Sequence, residues 1–439
     1  MAFGKNKVIF AYVPAIIDLF VQLAFINFEA ILLGRLSPIV LAGAGIGGQV
    51  LLFLFVFLLT FAMGSSLLIS LELGKGEKEK AREIFGRAVI YVFLLSILLA
   101  IICYSSAKFI FEQIFKTNYE TNVIAKTYFR TLSLFLPIIS IDFFIISLLR
   151  GTGETIKSMT LSLVVNLTNA FLSYTLIYGK FGIPLLGARG AAIAIGLSHT
   201  VGLILSISFF IRDKLNFKLL LIKGVDFGIL KKLFKVGIPA TLEQILWGIG
   251  QLFLVALISR TSIDELAVMQ ALFRIQMLVG IVYQAIGIVS LSFFARAVGA
   301  KSPRAIIRFS RTTFKLAILS ALIFGLLFAF LPHQILQLFF TDKKAIALGS
   351  RVLRFIAILQ ISKASVISVS SLLRAKGDLI WLVVTNGVFM LFFEIFLGIV
   401  FVNTLGYGIF GAWAVMGLDE SFKTLLHLKR ATKTGIKNL

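Results

Sequence analysis

Leu148-Leu149-Arg150-Gly151-Thr152-Gly153-Glu154 returns further along the chain as Leu372-Leu373-Arg374-Ala375-Lys376-Gly377-Asp378. Each copy reads as an apolar helix that closes on an arginine, turns at a glycine and restarts beside an acid. Val13-Pro14-Ala15-Ile16-Ile17-Asp18 finds its echo in Ile238-Pro239-Ala240-Thr241-Leu242-Glu243 at nearly the same offset. Gly74 followed by Lys80-Ala81-Arg82 is echoed by Gly299 followed by Arg304-Ala305-Ile306. One such match could arise by chance in apolar sequence, but three in order at one offset of roughly 225 residues mark an internal duplication.

What lies between these turns is lipid-soluble. The 439 residues are 59% hydrophobic and 14% charged, with a mean hydropathy of +1.00, more apolar surface than a soluble chain could keep from water. Uncharged windows of about 20 residues recur throughout, the length that roughly 30 Å of hydrocarbon demands of a helix. The apolar runs are continuous rather than alternating, which excludes a barrel. The expected spans are 8–33, 38–72, 88–114, 122–149, 157–178, 187–211, 237–259, 263–295, 311–331, 345–373, 379–402 and 408–427. This predicts an all-α integral membrane protein of twelve transmembrane helices in two six-helix lobes, residues 1–211 and 236–439, joined by a linker over 212–235.

The net charge of +23 could suggest nucleic acid, but the basic residues sit in short segments between apolar runs, so no nucleic-acid partner is expected. They read as topology signals. About 29 of the 43 lysines and arginines fall on the side that carries both ends of an even-spanned chain, which predicts cytoplasmic termini in a prokaryotic cell membrane. Within the linker, Phe227, Leu230, Leu233 and Phe234 alternate with Lys231, Lys232 and Lys235 at helical spacing, predicting an interfacial helix on anionic lipid. The lone Cys103 excludes a disulfide framework and a thiolate metal site. The first ten residues lead into a run too long for a cleavable signal and are read as retained.

Six spans per half is an even number, so both copies enter the membrane the same way round. The repeats are parallel, and a cleft between two such lobes is where a substrate would bind under alternating access. At the repeated turns, Arg150 and Arg374 can meet exposed helix-end carbonyls, while Glu154 and Asp378 can cap the following helix.

At this point the sequence resembles the multidrug and toxic compound extrusion (MATE) family of the wider multidrug/oligosaccharidyl-lipid/polysaccharide flippase superfamily. The resemblance runs over nearly the whole chain. It is carried by Asn27-Phe28-Glu29-Ala30-Ile31-Leu32-Leu33-Gly34-Arg35-Leu36, by Leu149-Arg150-Gly151-Thr152-Gly153, and by Asn169 through Ile177-Tyr178-Gly179-Lys180-Phe181-Gly182. Gly187-Ala188-Arg189-Gly190-Ala191-Ala192-Ile193-Ala194, Gly237-Ile238-Pro239-Ala240-Thr241-Leu242-Glu243-Gln244 and Gly411-Ala412-Trp413 with Asp419 continue it. The family implies a twelve-helix antiporter that exports amphipathic, often cationic compounds in exchange for protons or sodium ions.

A charge in mid-membrane costs about 2.5 to 3.5 kcal/mol on insertion scales, so each buried acid is a candidate for function. Glu29 stands where the family usually carries an aspartate tied to cation coupling. A carboxyl in apolar surroundings binds a proton more readily than one in water. The alternative is a carboxyl paired within its helix or near its outer end. Asn169 matches a second polar position of that site, but Ser173 stands where a further acid is expected and Ile195 where a hydroxyl is. Sodium wants several oxygen ligands, so Glu29, Asn169 and Ser173 favour H+ over Na+ as the coupling ion, with no other cofactor and no metal.

In the second half, Trp247 and Lys363 stand where some members place cation-binding carboxylates. Lys363 either attracts an anionic substrate group or pairs with Glu394 or Asp419. Glu243 and Gln244 could face the cleft, and Gln270 and Arg274 share one face of the eighth helix, suited to substrate or to an interhelical bond. Asp18 and Glu243 sit about one turn inside their helices, where the dipole favours acids, and Asp142 is a weaker coupling candidate.

His199, His333 and His427 are isolated in sequence, and no nucleotide loop, His-Glu-x-x-His or Gly-x-Ser-x-Gly is present, so the chain is not expected to be an enzyme. No selectivity-filter sequence supports a channel. A flippase for a lipid-linked oligosaccharide or phospholipid is the rival, with Lys363 and Arg274 suited to a phosphate-bearing head group. A non-transporting membrane scaffold is the third reading. An amphipathic small molecule and a monomeric protein are expected.

Overall fold

The computed structural model describes residues 5–115, 118–212 and 226–433, and these contain helices and turns without strands. The first half contains α1 (Lys5–Leu36), α2 (Pro38–Lys75), α3 (Lys78–Phe109), α4 (Tyr119–Gly151), α5 (Thr155–Tyr178) and α6 (Gly187–Arg212). The second contains α7 (Phe227–Ile258), α8 (Ile263–Gly299), α9 (Pro303–Phe330), the short α10 (Pro332–Gln337), α11 (Lys343–Ala375), α12 (Leu379–Phe389) and α13 (Gly408–Lys433). α12 continues in π-helical form over Met390–Leu397 and Val400–Thr404. Among the described residues, twelve helical rods are therefore long, and ten are apolar enough over 18 residues to cross a membrane. α2 and α13 are the other two. α13 carries Asp419, Glu420 and Lys423 in its interior.

The chain forms two compact units, Met1–Gly237 and Ile238–Leu439. In the first, α1 packs on α5, α2 and α3 on α4, and α6 on both α4 and α5. In the second, α8 and α9 pack on α11, and α13 on α11 and on the π-helical part of α12. Leu254 and Leu257 of α7 lie against Gly398 beyond α12. The packing of α2, α3 and α6 in the first unit thus has its counterpart in that of α8, α9 and α13 in the second.

The repeated turns adopt one conformation. Glu154 N–H donates to Leu149 O at 2.8 Å, and Asp378 N–H to Leu373 O at 3.0 Å. Gly153 and Gly377 take φ of 84° and 81°, a left-handed conformation that a β-carbon resists. The acids after them are not caps: neither Glu154 nor Asp378 accepts a hydrogen bond on its side chain from the first backbone N–H groups of its helix. Elsewhere the caps are conventional. Ser262 accepts from Glu265 N–H at 3.1 Å and Asp342 from Ala345 N–H at 2.9 Å.

Several helices outrun the hydropathy-based spans. α3 starts ten residues before the expected 88, and α9 starts eight before 311, so much of the basic "loops" is helix. Pairs such as Lys80 with Glu77 and Arg87 with Glu83 hold those charged turns. The helix expected over the linker is continuous with α7 from Phe227, while 213–225 lies outside the described residues.

Burial follows lipid rather than water. On α9, Leu319, Leu322, Ile323 and Leu326 are exposed, while Phe309, Thr313, Ala317 and Ala321 face inward. The second unit's core gathers Leu254, Met269, Tyr283, Leu353 and Trp413, with the Tyr283 hydroxyl donating to Gln360 Oε1 at 2.9 Å. Cys103 is buried and free.

Candidate ion-coupling site

Glu29 sits seven residues from the end of α1, half-buried, and reaches across to α4 and α5. Its Oε1 accepts from the Tyr128 hydroxyl and its Oε2 from Asn169 Nδ2, both at 3.3 Å. The Ser173 hydroxyl donates to Asn169 Oδ1, also at 3.3 Å. The three residues singled out in the sequence are therefore together, in the order Glu29, Asn169, Ser173. Tyr128 joins them from α4 and is buried. Nothing in its sequence neighbourhood set it apart from an ordinary core tyrosine.

A polar stripe runs along the same two helices. Asp18 is fully buried and accepts from Arg150 Nε at 2.9 Å, from Ser158 Oγ at 2.7 Å and from Gln22 Nε2 at 2.9 Å. Gln22 also donates to Ser162 Oγ at 3.2 Å, and Asn166 donates to the same atom at 3.2 Å. Asp18 is thus held by a counter-ion rather than by the dipole of its own helix, and Arg150 meets that carboxylate rather than helix-end carbonyls. The sequence reading missed Gln22, Ser158, Ser162 and Asn166; the signal that could have found them is their helical spacing from Asp18 and Glu29 on α1 and from Asn169 and Ser173 on α5.

The second unit repeats the ion pair. Arg374 donates through Nε to Glu243 Oε2 at 3.2 Å and through its terminal nitrogen to Oε1 at 2.7 Å. Glu243 is buried in that pair. Gln244, Gln270, Arg274 and Trp247 are exposed on α7 and α8. Asp378, in place of capping, accepts from Arg430 Nε at 2.6 Å.

Lys363 pairs with neither Glu394 nor Asp419. Its Nζ donates to Gln276 Oε1 at 3.2 Å and lies 4.0 Å from Glu420 Oε1. Asp419 is claimed by Lys423, one turn on, at 2.7 Å. Glu420, Lys423 and Gln276 escaped the sequence reading because each looks like an ordinary helical polar residue until α8, α11 and α13 are assembled. The histidines are also less isolated than their spacing suggested. His199 Nδ1 lies 2.7 Å from Asp142 Oδ2, and His427 lies between Ser370 and Thr385 at 3.3 and 3.0 Å. Among the described residues, no three His, Cys, Asp or Glu side chains gather as they would around a metal ion.

The MatE family model matches the chain twice, over residues 14–175 and 239–400. The chain belongs to the MatE family. As a MatE protein it is a multi-pass membrane transporter, and the two matched segments coincide with the repeat traced above. It is 24% identical to the "Probable multidrug resistance protein NorM" of Thermotoga maritima, over 97% of this chain and 91% of that one. It is 23% identical to a Bacillus subtilis protein described as an uncharacterized transporter, over 95% of this chain and 92% of the other. Solved MATE structures share the fold. An outward-facing multidrug resistance MATE family transporter superposes with a TM-score of 0.85 at 20% identity, covering 98% of this chain and 97% of the other. A Vibrio cholerae MATE transporter superposes with a TM-score of 0.87 at 17% identity, covering 98% and 96%.

Proposed function

We propose that this MatE protein is a proton-coupled antiporter of the cell membrane that exports amphipathic, cationic compounds, with Glu29 as the group that exchanges the proton. Family membership and the drug-resistance names of the NorM relatives support export of such compounds. The arrangement around Glu29 supports the proton. Both neighbours aimed at the carboxylate are donors, the Tyr128 hydroxyl and the Asn169 amide nitrogen. A sodium ion would need the lone pairs of several oxygens converging on it. Here the remaining amide oxygen is turned to Ser173. Two long donor bonds can hold the ionised form and be given up without rearranging the helices when the oxygen takes a proton. Substrate would then be released as the proton is bound, under alternating access.

The test is efflux of ethidium from proteoliposomes under an imposed proton gradient or an imposed sodium gradient. Ethidium should move with the proton gradient and not with the sodium gradient. Glu29→Gln, which keeps the shape and removes the titration, should lower the rate at least ten-fold. Sodium-driven movement would overturn the coupling ion. If folded protein moved ethidium under neither gradient, the export reading would yield to a flippase of lipid-linked cargo.

A further inference from the structure

The first unit's site lies between α1 and α5, and the repeat returns these helices as α7 and α12. Glu394 beyond α12 falls opposite Asn169 of α5 at the offset of the matched segments, and one residue further on at the offset of the nearer repeated turns. Glu394 is 2% exposed and lies in the π-helical stretch Met390–Leu397. Such turns are rare overall and frequent at functional sites. Oε2 of Glu394 is buried and makes no hydrogen bond among the described residues. It rests against the backbone of Gly250 on α7, where any β-carbon would overlap it.

The polar and charged groups that act on Glu394 are Gln251 from α7 and Asp419, Glu420 and Lys423 from α13. Lys423 is committed to Asp419, and Lys363 of α11 is shared between Glu420 and Gln276. Two lysines thus answer two of three carboxylates. The cluster is one positive charge short, and the group without a counter-ion is Glu394. Asp419 and Glu420 each turn one oxygen to a lysine, Oδ1 of Asp419 stays buried without a hydrogen bond, and Gly250 closes one side of Glu394 Oε2. A proton needs only the one oxygen.

We infer that Glu394 is the centre of a second proton-binding site, in the C-terminal unit, used in the transport cycle alongside Glu29. Its part in the cycle rests on the proton-coupled reading above; its titration does not. The site lies on the helices that correspond to those of the first, with the acid and the amide on opposite members of the pair. In the first unit the acid is on α1 and the amide on α5. In the second the amide Gln251 is on α7 and the acid beyond α12.

The test is the pH-difference infrared spectrum of the full-length protein in lipid, comparing native, Glu29→Gln, Glu394→Gln and Glu394→Asp. The native protein should show titrating protonated-carboxyl bands that include one from Glu29 and one from Glu394. Glu29→Gln should remove the first, Glu394→Gln the second, and Glu394→Asp should shift the second band. A Glu394→Gln spectrum matching the native one would overturn the proposal. If the Gln variant did not fold, an unshifted band in Glu394→Asp would overturn it equally. Each band is read separately, so failure of Glu29 to titrate leaves the Glu394 result standing. Ethidium efflux driven by a proton gradient should also fall at least ten-fold in Glu394→Gln; unchanged efflux would remove Glu394 from the cycle.

Discussion

Asp18 and Arg150 are separated by most of the first half of the chain, yet the carboxylate is wholly buried and the guanidinium nearly so. Removing one member of such a pair leaves an uncompensated charge and costs about 3–5 kcal/mol, whereas replacing both by apolar side chains of similar size is often close to neutral. Arg150→Met should therefore lower the thermal midpoint of the detergent-solubilised protein steeply, and adding Asp18→Leu should recover most of the loss. Arg374→Met should cost less, because Arg374 and Glu243 keep 15% and 11% side-chain exposure against 7% and 0% for Arg150 and Asp18. Equal losses in the two units would contradict that ordering. The sequence aligned these four residues as two equivalent pairs of positions, but it could not say that each acid meets its arginine. That contact depends on packing between α1, α4 and α5, and no spacing along one helix encodes it. Glu29 with Asn169 and Ser173 was legible because the residues lay in motifs that resemble a family. Tyr128 was not, since an aromatic side chain on a buried helix face is ordinarily core.

Helix ends separate what hydropathy measures from what the backbone does. α3 has 32 residues and is about 48 Å long at 1.5 Å per residue, well beyond roughly 30 Å of hydrocarbon. Its charged first turns rise out of the membrane, which is why a hydropathy window ended the helix at 88. The start of α7 makes the same point. Asp226 accepts from the N–H groups of Gly228 and Ile229 at 2.7 and 3.2 Å, capping α7, while Tyr91 of α3 bonds its backbone on both sides. Those two N–H donors hold the Asp226 carboxyl below the usual carboxylate range. A lowered folded-state value means that the cap stabilises above the unfolded value of about 3.9 and is lost as pH falls through the folded one. Asp226→Ala should accordingly melt at a lower temperature than the native protein at neutral pH. That difference should close as the pH is taken below about 4. A difference that persisted in acid would show that Asp226 acts through something other than its charge. Sequence spacing identified the helical periodicity of residues 227–235 but not their continuity with α7, because a run of lysines beside Pro239 reads as a boundary. Pro239 instead sits inside the helix.

At the scale of the whole molecule, duplication and charge together set the topology. Twelve rods return the chain to its starting side, and the turns on that side carry Lys78, Lys301 and Lys376, whereas the opposite turns carry residues such as Tyr119 and Leu338. Positively charged segments are retained in the cytoplasm during insertion. Both termini and the turns rich in lysine and arginine should then be cytoplasmic. The buried Cys103 makes this testable without altering the background, since it is shielded from a membrane-impermeant maleimide. Single cysteines at Lys78, Lys301, Tyr119 and Leu338 replace exposed side chains. In intact cells Tyr119→Cys and Leu338→Cys should label, while Lys78→Cys and Lys301→Cys should label only after the membrane is permeabilised. The pairs Lys78 with Lys301 and Tyr119 with Leu338 each draw one position from each half. Matching behaviour within a pair is therefore a test of the parallel repeat, and the side on which a pair labels is a test of orientation. If Lys78 labelled from outside and Lys301 from inside, the two halves would be inverted and the parallel duplication would fail. If both labelled from outside, the repeat would survive and only the orientation would be reversed.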